Sequence, residues 1–207
     1  MTKKNLAIFT ALMAFLCGIS SSLHAEILSV SAGLPVSQSF NDLKIEYDSC
    51  GTSACEDTKL KADGLPTGFL IHANIPFFPG IGYERYETEL KVDSGVEIEE
   101  SKGEMKLITN MYDLFYLLPV PIVNITIGTG MGSVEFDCKD CSDLFKKGSA
   151  YQYFLQFGVP ILTLFDIHFS CHSIKGGIDS EDKDDKKVVQ DVSLDSTVFA
   201  VGLAFVF

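Results

Sequence analysis

The stretch that decides the fold is the last one, STVFAVGLAFVF, at residues 196–207. Its large apolar residues occupy every second position: Phe199, Val201, Leu203, Phe205 and Phe207. The positions between them are mostly small. A period of two indicates a β-strand, and the large face of such a strand must lie against something apolar.

Charge and apolar residues are segregated along the rest of the chain. The 207 residues carry a net charge of −12, yet the mean hydropathy is +0.21. Both values hold because the charges cluster in blocks such as residues 97–106 and 179–187, with long apolar or alternating runs between them. Such acidity argues against nucleic acid as a partner, and the length favours one domain.

The N-terminus has the pattern of a cleaved signal peptide. Basic MTKKN precedes the apolar run LAIFTALMAFLCGI, and SSSLHA leads to a cleavage site after Ala25. We therefore expect residues 1–25 to be removed and residues 26–207 to form the exported domain. The most apolar internal run, residues 114–128, contains two prolines and is shorter than the roughly 18 residues that a membrane helix needs.

Alternation and turn residues predict eight strands, which we place near residues 27–37, 67–76, 81–93, 105–118, 122–136, 150–159, 163–174 and 195–207. Short proline-containing connections fall at 76–80, 118–122 and 159–163. Long polar connections fall at 38–66, 94–104, 137–149 and 175–194. The strict alternation of short and long predicts up-and-down hairpins with all the long loops at one end.

One face of these strands is apolar, and the other is mostly Ser, Thr, Asn, Gln and Gly, with few lysines. A soluble barrel would carry many charges on its polar face, so we expect the apolar face to contact lipid and the polar face to line the lumen. An eight-stranded lumen is just wide enough to be filled by side chains, and a closed barrel pairs every backbone group. The sequence thus predicts an all-β, eight-stranded, antiparallel transmembrane barrel, in which Gly128→Ser in the lumen is mild.

Polar side chains on the predicted inner face form a candidate network. We interpret it as a hydrogen-bonded plug that fills the barrel and fixes its register; a gated ion path through the charged members is the alternative. The predicted members are His72, Asn74, Arg85, Glu87, Glu89, Asp113, Gln152, Gln156, Asp166, His168, Ser170 and His172.

The cysteines indicate loop disulfides rather than a metal site. Cys50 and Cys55 lie in the first long loop, and Cys138 and Cys141 lie in the third. An oxidising envelope favours a local disulfide in each. Metal or redox use of the second pair is the alternative, but no second pair with zinc-like spacing accompanies it. Cys171 falls on the lipid-facing set, and we expect no metal or cofactor.

Together, the signal peptide, the amphipathic strands and the final VFAVGLAFVF resemble the small outer-membrane β-barrel proteins of Gram-negative bacteria. Hairpins such as IPFFPGIGYERYE, residues 75–87, are similar to those of an uncharacterised subgroup of that family. The resemblance implies a monomer in outer-membrane lipid, with long loops outside and short turns in the periplasm. It also implies delivery by periplasmic chaperones and an assembly machinery that reads the last strand, with Phe199, Val201, Leu203, Phe205 and Phe207 as its signal.

Three functions are compatible with this reading. We favour a structural or surface-exposed barrel that is not an enzyme. The second is a narrow, porin-like channel or a carrier of small apolar molecules, through the lumen or a lateral opening. The third rests on DIHFSCH, residues 166–172, which resembles the outer-membrane lipid A deacylase and would use His168 and Ser170. That enzyme's pair faces lipid, whereas alternation places this pair in the lumen.

Overall fold

Alternating side chains make strands of nearly all the chain that the structure describes. The computed structural model describes residues 28–46, 58–75, 77–92, 105–118, 120, 123–137, 147–162, 165–179 and 191–207. Its elements are β1 (Ser29–Glu46), β2 (Thr58–Ala62), β3 (Thr67–Asn74), β4 (Gly80–Val92), β5 (Met105–Leu118), β6 (Asn124–Asp137), β7 (Gly148–Leu162), β8 (Phe165–Asp179) and β9 (Asp191–Val206). In these ranges no helix is long and apolar enough to cross a membrane.

The strands close into a barrel. From β3 to β9 each strand pairs antiparallel with the next, and β9 pairs with β1 from Ser29↔Val206 to Glu46↔Asp191. β2 and β3 both pair with β4 and together form one interrupted strand of the wall. The wall therefore has eight strand positions, which confirms the predicted fold class.

Several strands run further than the sequence predicts. β1 continues to Glu46, and β2 lies inside the predicted loop 38–66. β8 extends to Asp179, and β9 begins at Asp191, inside the predicted loop 175–194. Connections β3–β4, β5–β6 and β7–β8 are short and define the turn end of the barrel. The opposite end is called the loop end.

The outer surface near the turn end is apolar. Side chains exposed there include Leu34, Phe69, Ile71, Ile81, Leu114, Ile127, Leu155, Phe157, Phe169, Phe199, Leu203, Phe205 and Phe207. A water-soluble protein seldom exposes so continuous an apolar surface. A band of this kind, about 25 Å tall, is what a membrane barrel presents to lipid.

Towards the loop end the outer face is charged and the inner face is apolar, the reverse of the turn end. The outer face there carries ion pairs such as Lys175–Asp195 and Lys147–Glu135, at 3.4 and 3.7 Å. The interior there is a cluster of buried apolar side chains, which includes Leu43, Leu60, Leu90, Leu107, Val134, Phe136, Ile178, Val192 and Leu194. The barrel is thus of membrane type near its turn end and of soluble type near its loop end. The expectation of a uniformly polar lumen is wrong for this second part.

Strand length explains this reversal. A membrane strand needs about 9–11 residues, whereas β7, β8 and β9 have 15, 15 and 16 and β1 has 18. The surplus residues project beyond the apolar band. Outside lipid, the ordinary rule of apolar inside and polar outside applies to them.

Candidate functional site in the barrel interior

A buried polar cluster lies between the two parts of the interior. Glu84 on β4 is at its centre: its Oε1 is 2.8 Å from His72 Nε2, and its Oε2 is 3.2 Å from His172 Nδ1. Gln152 donates through Nε2 to Glu84 Oε2 at 2.9 Å and to Asp113 Oδ1 at 2.6 Å. The Tyr86 hydroxyl also donates to Glu84 Oε2. Five wall strands, β3, β4, β5, β7 and β8, supply these side chains.

Aromatic rings hold the two histidines in place. Phe154 is stacked on both, with ring centroids 5.4 Å from His72 and 5.0 Å from His172. Phe115 on β5 also packs against His72, with ring centroids 5.2 Å apart. Both imidazoles of the cluster therefore lie against aromatic rings.

Two glycines make room for this layer. A Cβ at Gly82 would overlap the imidazole of His72, and a Cβ at Gly130 would overlap Asp113 Oδ1. Any larger residue at either position would displace a cluster member. Alternation alone places both glycines on a strand, but it gives no reason for their size.

On the turn-end side of the cluster is a polar cavity of about 30 Å³. Its lining includes Ser31, His72, Asn74, Asn124, Thr126, Gln156, Asp166 and His168. Asn124 donates through Nδ2 to Asp166 Oδ2 across the cavity. The volume admits about two water molecules.

Three predicted lumen residues lie on the outer face instead. Arg85 pairs with Glu87 there at 2.7 Å, with both side chains about one-third exposed, and Glu89 is exposed. Their predicted inward position is wrong because these charges belong to the part of β4 that turns its polar face to water. The same error in orienting β4 left Glu84 out of the predicted network, although its carboxylate is completely buried in the cluster.

The other predicted members point into the barrel. His72, Asp113, Gln152, Gln156, Asp166, His168, Ser170 and His172 are buried, and Asn74 is half-buried at the cavity. The structure joins His72, Gln152 and His172 to Glu84, and it joins Asp113 to Gln152. Gln156, Asp166 and His168 lie with Asn74 at the turn-end cavity instead.

The proposed enzymatic pair does not form. Ser170 Oγ is hydrogen-bonded to His172 Nε2 at 2.8 Å, rather than to His168. The resulting chain Ser170–His172–Glu84 has the order of a nucleophile, base and acid. However, the His172 Nδ1 contact with Glu84 lacks hydrogen-bond geometry, and neither Ser170 nor His172 lines the cavity. Ser170 and His172 are both buried.

The remaining predicted sites are the cysteines, the signal peptide and the final strand. Cys50, Cys55, Cys138 and Cys141 lie outside the described residues, as do residues 1–25 of the predicted signal peptide. Cys171 is a free thiol on the outer face of β8. In the final strand, Phe199, Leu203, Phe205 and Phe207 are exposed on the outer face, and Val201 is half-buried there.

No protein-family model and no curated protein sequence matches this chain. Solved structures do match its fold. Outer membrane protein AlkL, determined in lipid bilayers, aligns with a TM-score of 0.64 at 13% identity, covering 91% of this chain and 93% of AlkL. Neisserial surface protein A aligns with a TM-score of 0.50 at 12% identity, covering 87% of this chain and 97% of that one. The chain therefore has the barrel fold of these two proteins.

Proposed function

We propose that this chain is an integral outer-membrane protein with a sealed lumen, a structural or surface-exposed role and no enzymatic site. The observation that carries the proposal is a lumen filled at two successive levels. The polar cluster around Glu84 closes the middle, and apolar side chains fill the loop end. Met111, Tyr86 and Gln152, from three different strands, are each at most 1% exposed. Loops rather than lumen would then carry contacts with the outside.

The apolar outer band and the barrel fold support placement in outer-membrane lipid, and we propose that the chain is a monomer there, as the family resemblance implies. The exposed aromatic residues of β9 support recognition by the assembly machinery that the family resemblance implies. Extracellular loops and periplasmic turns are part of the same proposal, because the loop end carries the charged outer face.

Gel mobility and conductance test this proposal. A folded barrel in the outer-membrane fraction should resist detergent at room temperature and change mobility after boiling. In planar bilayers the purified protein should give only rare, small openings. A Tyr86→Ala/Met111→Ala variant, which empties the lumen centre, should conduct and so prove that the assay detects an opening. Steady conductance by the unaltered protein would contradict a sealed lumen.

A second candidate, a carrier of small apolar molecules, is favoured by a seam in the wall. β1 pairs with β3 only from Ser29 to Gly33, and with β2 only at Lys44 and Ile45. Within the described residues, no backbone pairing joins β1 to the interrupted strand between these points. Leu43, Leu60 and Leu70 of the apolar interior lie along it.

A disulfide across the seam separates the two candidates. Extending the register of the paired ends would set Val36 opposite Thr67, so Val36→Cys/Thr67→Cys, in a background without other cysteines, is the pair to lock the seam. Val30→Cys/Ala73→Cys is the matched control, because Val30 and Ala73 are already paired. Carriage of a fluorescent fatty acid between vesicles that only the seam disulfide blocks would favour the carrier. Equal transfer with and without protein would favour the sealed barrel.

A further inference from the structure

The polar cluster brings together ligand-type atoms from three neighbouring strands. One ligand atom from each of His72, Glu84 and Asp113 lies within 4.8 Å of the other two. We propose that these three residues bind one divalent transition-metal ion of the Zn²⁺ class inside the barrel. Neither the expectation from the sequence nor the sealed-barrel function includes such a site.

The spacing of the three atoms suits a metal. Zn²⁺ binds nitrogen and carboxylate oxygen at about 2.0–2.2 Å, which places tetrahedral ligands roughly 3.3 Å apart. His72 Nε2 is 2.8 Å from Glu84 Oε1 and 3.7 Å from Asp113 Oδ2, so the distances fall on either side of that value. Small side-chain rotations would bring all three into coordination. A solvent molecule would take the fourth position.

An unpaired oxygen is the second observation. Asp113 Oδ1 accepts a hydrogen bond from Gln152, whereas Asp113 Oδ2 is buried and has no hydrogen-bond partner among the described residues. Burying a carboxylate oxygen without a partner is costly. A cation between Oδ2 and His72 Nε2 removes that cost.

The charges of the cluster also favour a bound cation. Glu84 and Asp113 place two carboxylates side by side in the interior, and both side chains are fully buried. Among the described residues, the structure places no lysine or arginine against them; their cationic neighbours are histidines. One divalent ion would neutralise both carboxylates while leaving the imidazoles neutral, which is the form that binds metal.

The mixed ligand set limits the identity of the ion. One imidazole suits Zn²⁺, Fe²⁺, Co²⁺ or Ni²⁺, whereas Mg²⁺ and Ca²⁺ prefer all-oxygen sites. The turn-end cavity reaches His72, so an ion that has lost most of its bound water would enter from the turn end. The apolar loop-end interior offers no polar route from the other side.

The test is Zn²⁺ uptake by the full mature chain, refolded in detergent after chelator treatment and titrated with ZnCl₂ against a chromophoric chelator. We expect one Zn²⁺ per chain in the barrel, with MgCl₂ failing to compete. Asp113→Asn should weaken binding by at least about tenfold, since it removes the ligand charge and keeps the acceptor for Gln152. Asp195→Asn, on the outer face near the loop end, is the matched control and should bind as the unaltered protein does.

Further controls check that the variants fold and that Zn²⁺ is not bound elsewhere in the chain. Boiling-dependent gel mobility selects folded variants, and His72→Gln replaces Asp113→Asn if the latter does not fold. Zn²⁺ bound equally well by the unaltered chain and by the folded cluster variant would assign it to loop acids or cysteines and overturn the proposal. Absence of Zn²⁺ uptake would also overturn it, and would leave an ion-paired network of carboxylates and protonated histidines.

Discussion

Glu84 Oε1 lies 2.8 Å from His72 Nε2, and both side chains are almost completely buried in the barrel. Glu84 also accepts from Tyr86 and Gln152, so one carboxylate satisfies several buried groups. Removing one partner of a buried charge network typically costs about 3–5 kcal/mol. Glu84→Ala should therefore lower the free energy of unfolding by about that amount, measured by urea titration with circular dichroism.

Glu87→Ala is the control for that change, because Glu87 is three positions away, on the outer face, and about one-third exposed. Its effect should stay within about 0.5 kcal/mol, as for most surface substitutions. Equal destabilisation by both variants would contradict a special role for Glu84. The chain has no Trp, so circular dichroism is preferable to intrinsic fluorescence as the probe.

Gly130 supplies the space for Asp113. A methyl group there would overlap Asp113 Oδ1 and approach Gln152 Cγ to 3.0 Å, so Gly130→Ala should cost about 1–3 kcal/mol, as overpacking does. Gly177→Ala is the control, because its Cβ would meet only a carbonyl oxygen at 3.5 Å. Unfolding of both variants at the same urea concentration would contradict the predicted steric overlap at Gly130.

The same packing changes the expectation for Gly128. A Cβ at this position would overlap the ring of Phe154 and lie 2.8 Å from Phe115 Cβ. Gly128→Ser should therefore destabilise the barrel, by about 1–3 kcal/mol, rather than be mild. Thr126→Ser removes one methyl group at the turn-end cavity and is the milder comparison. The temperature at which heating changes the gel mobility would rank the stability of the two variants.

The sequence could predict the barrel because lipid imposes one rule on long stretches of chain. Phe69 and Ile71, for example, face outward while Leu70 and His72 face inward, as alternation requires. The rule fails on β4, where Arg85 and Glu87 lie on one face of the strand and Tyr86 and Thr88 lie on the other. Both faces of that segment are polar or amphipathic, so periodicity cannot orient it. Orientation there depends on where the membrane ends, which is set by the other strands.

The cluster itself was only partly predictable. His72, Asp113 and His172 could be assigned to the lumen from their own strands. Their meeting point could not, because it depends on the register that sets β3 against β4 and β4 against β5. Leu70↔Glu84 and Glu84↔Met111 are the pairs that bring Glu84 to the level of His72 and Asp113. A one-residue slip would turn Glu84 to the outside.

The loop-end interior should behave as a soluble core. Val134 is completely buried among apolar side chains, so Val134→Asn would bury an amide without partners at a cost of about 1–3 kcal/mol. Ser133→Asn, at the adjacent and more accessible position, should change the unfolding free energy by less than about 0.5 kcal/mol. A polar, water-filled lumen at this level would instead tolerate both changes equally in the urea titration.

The outer band should respond to charge according to height along the barrel. Ile127 is half exposed at the level where β6 pairs with Tyr116 and Leu155, so Ile127→Arg places a charge against lipid. Such a charge costs about 2–4 kcal/mol at the middle of a bilayer and much less near its edge. Ser193→Arg lies on the exposed outer face near the loop end and should be nearly neutral. Both variants would be unfolded from phospholipid vesicles with urea. Equal cost would mean that the band does not face lipid, and a larger cost for Ser193→Arg would mean that the membrane covers the loop end instead.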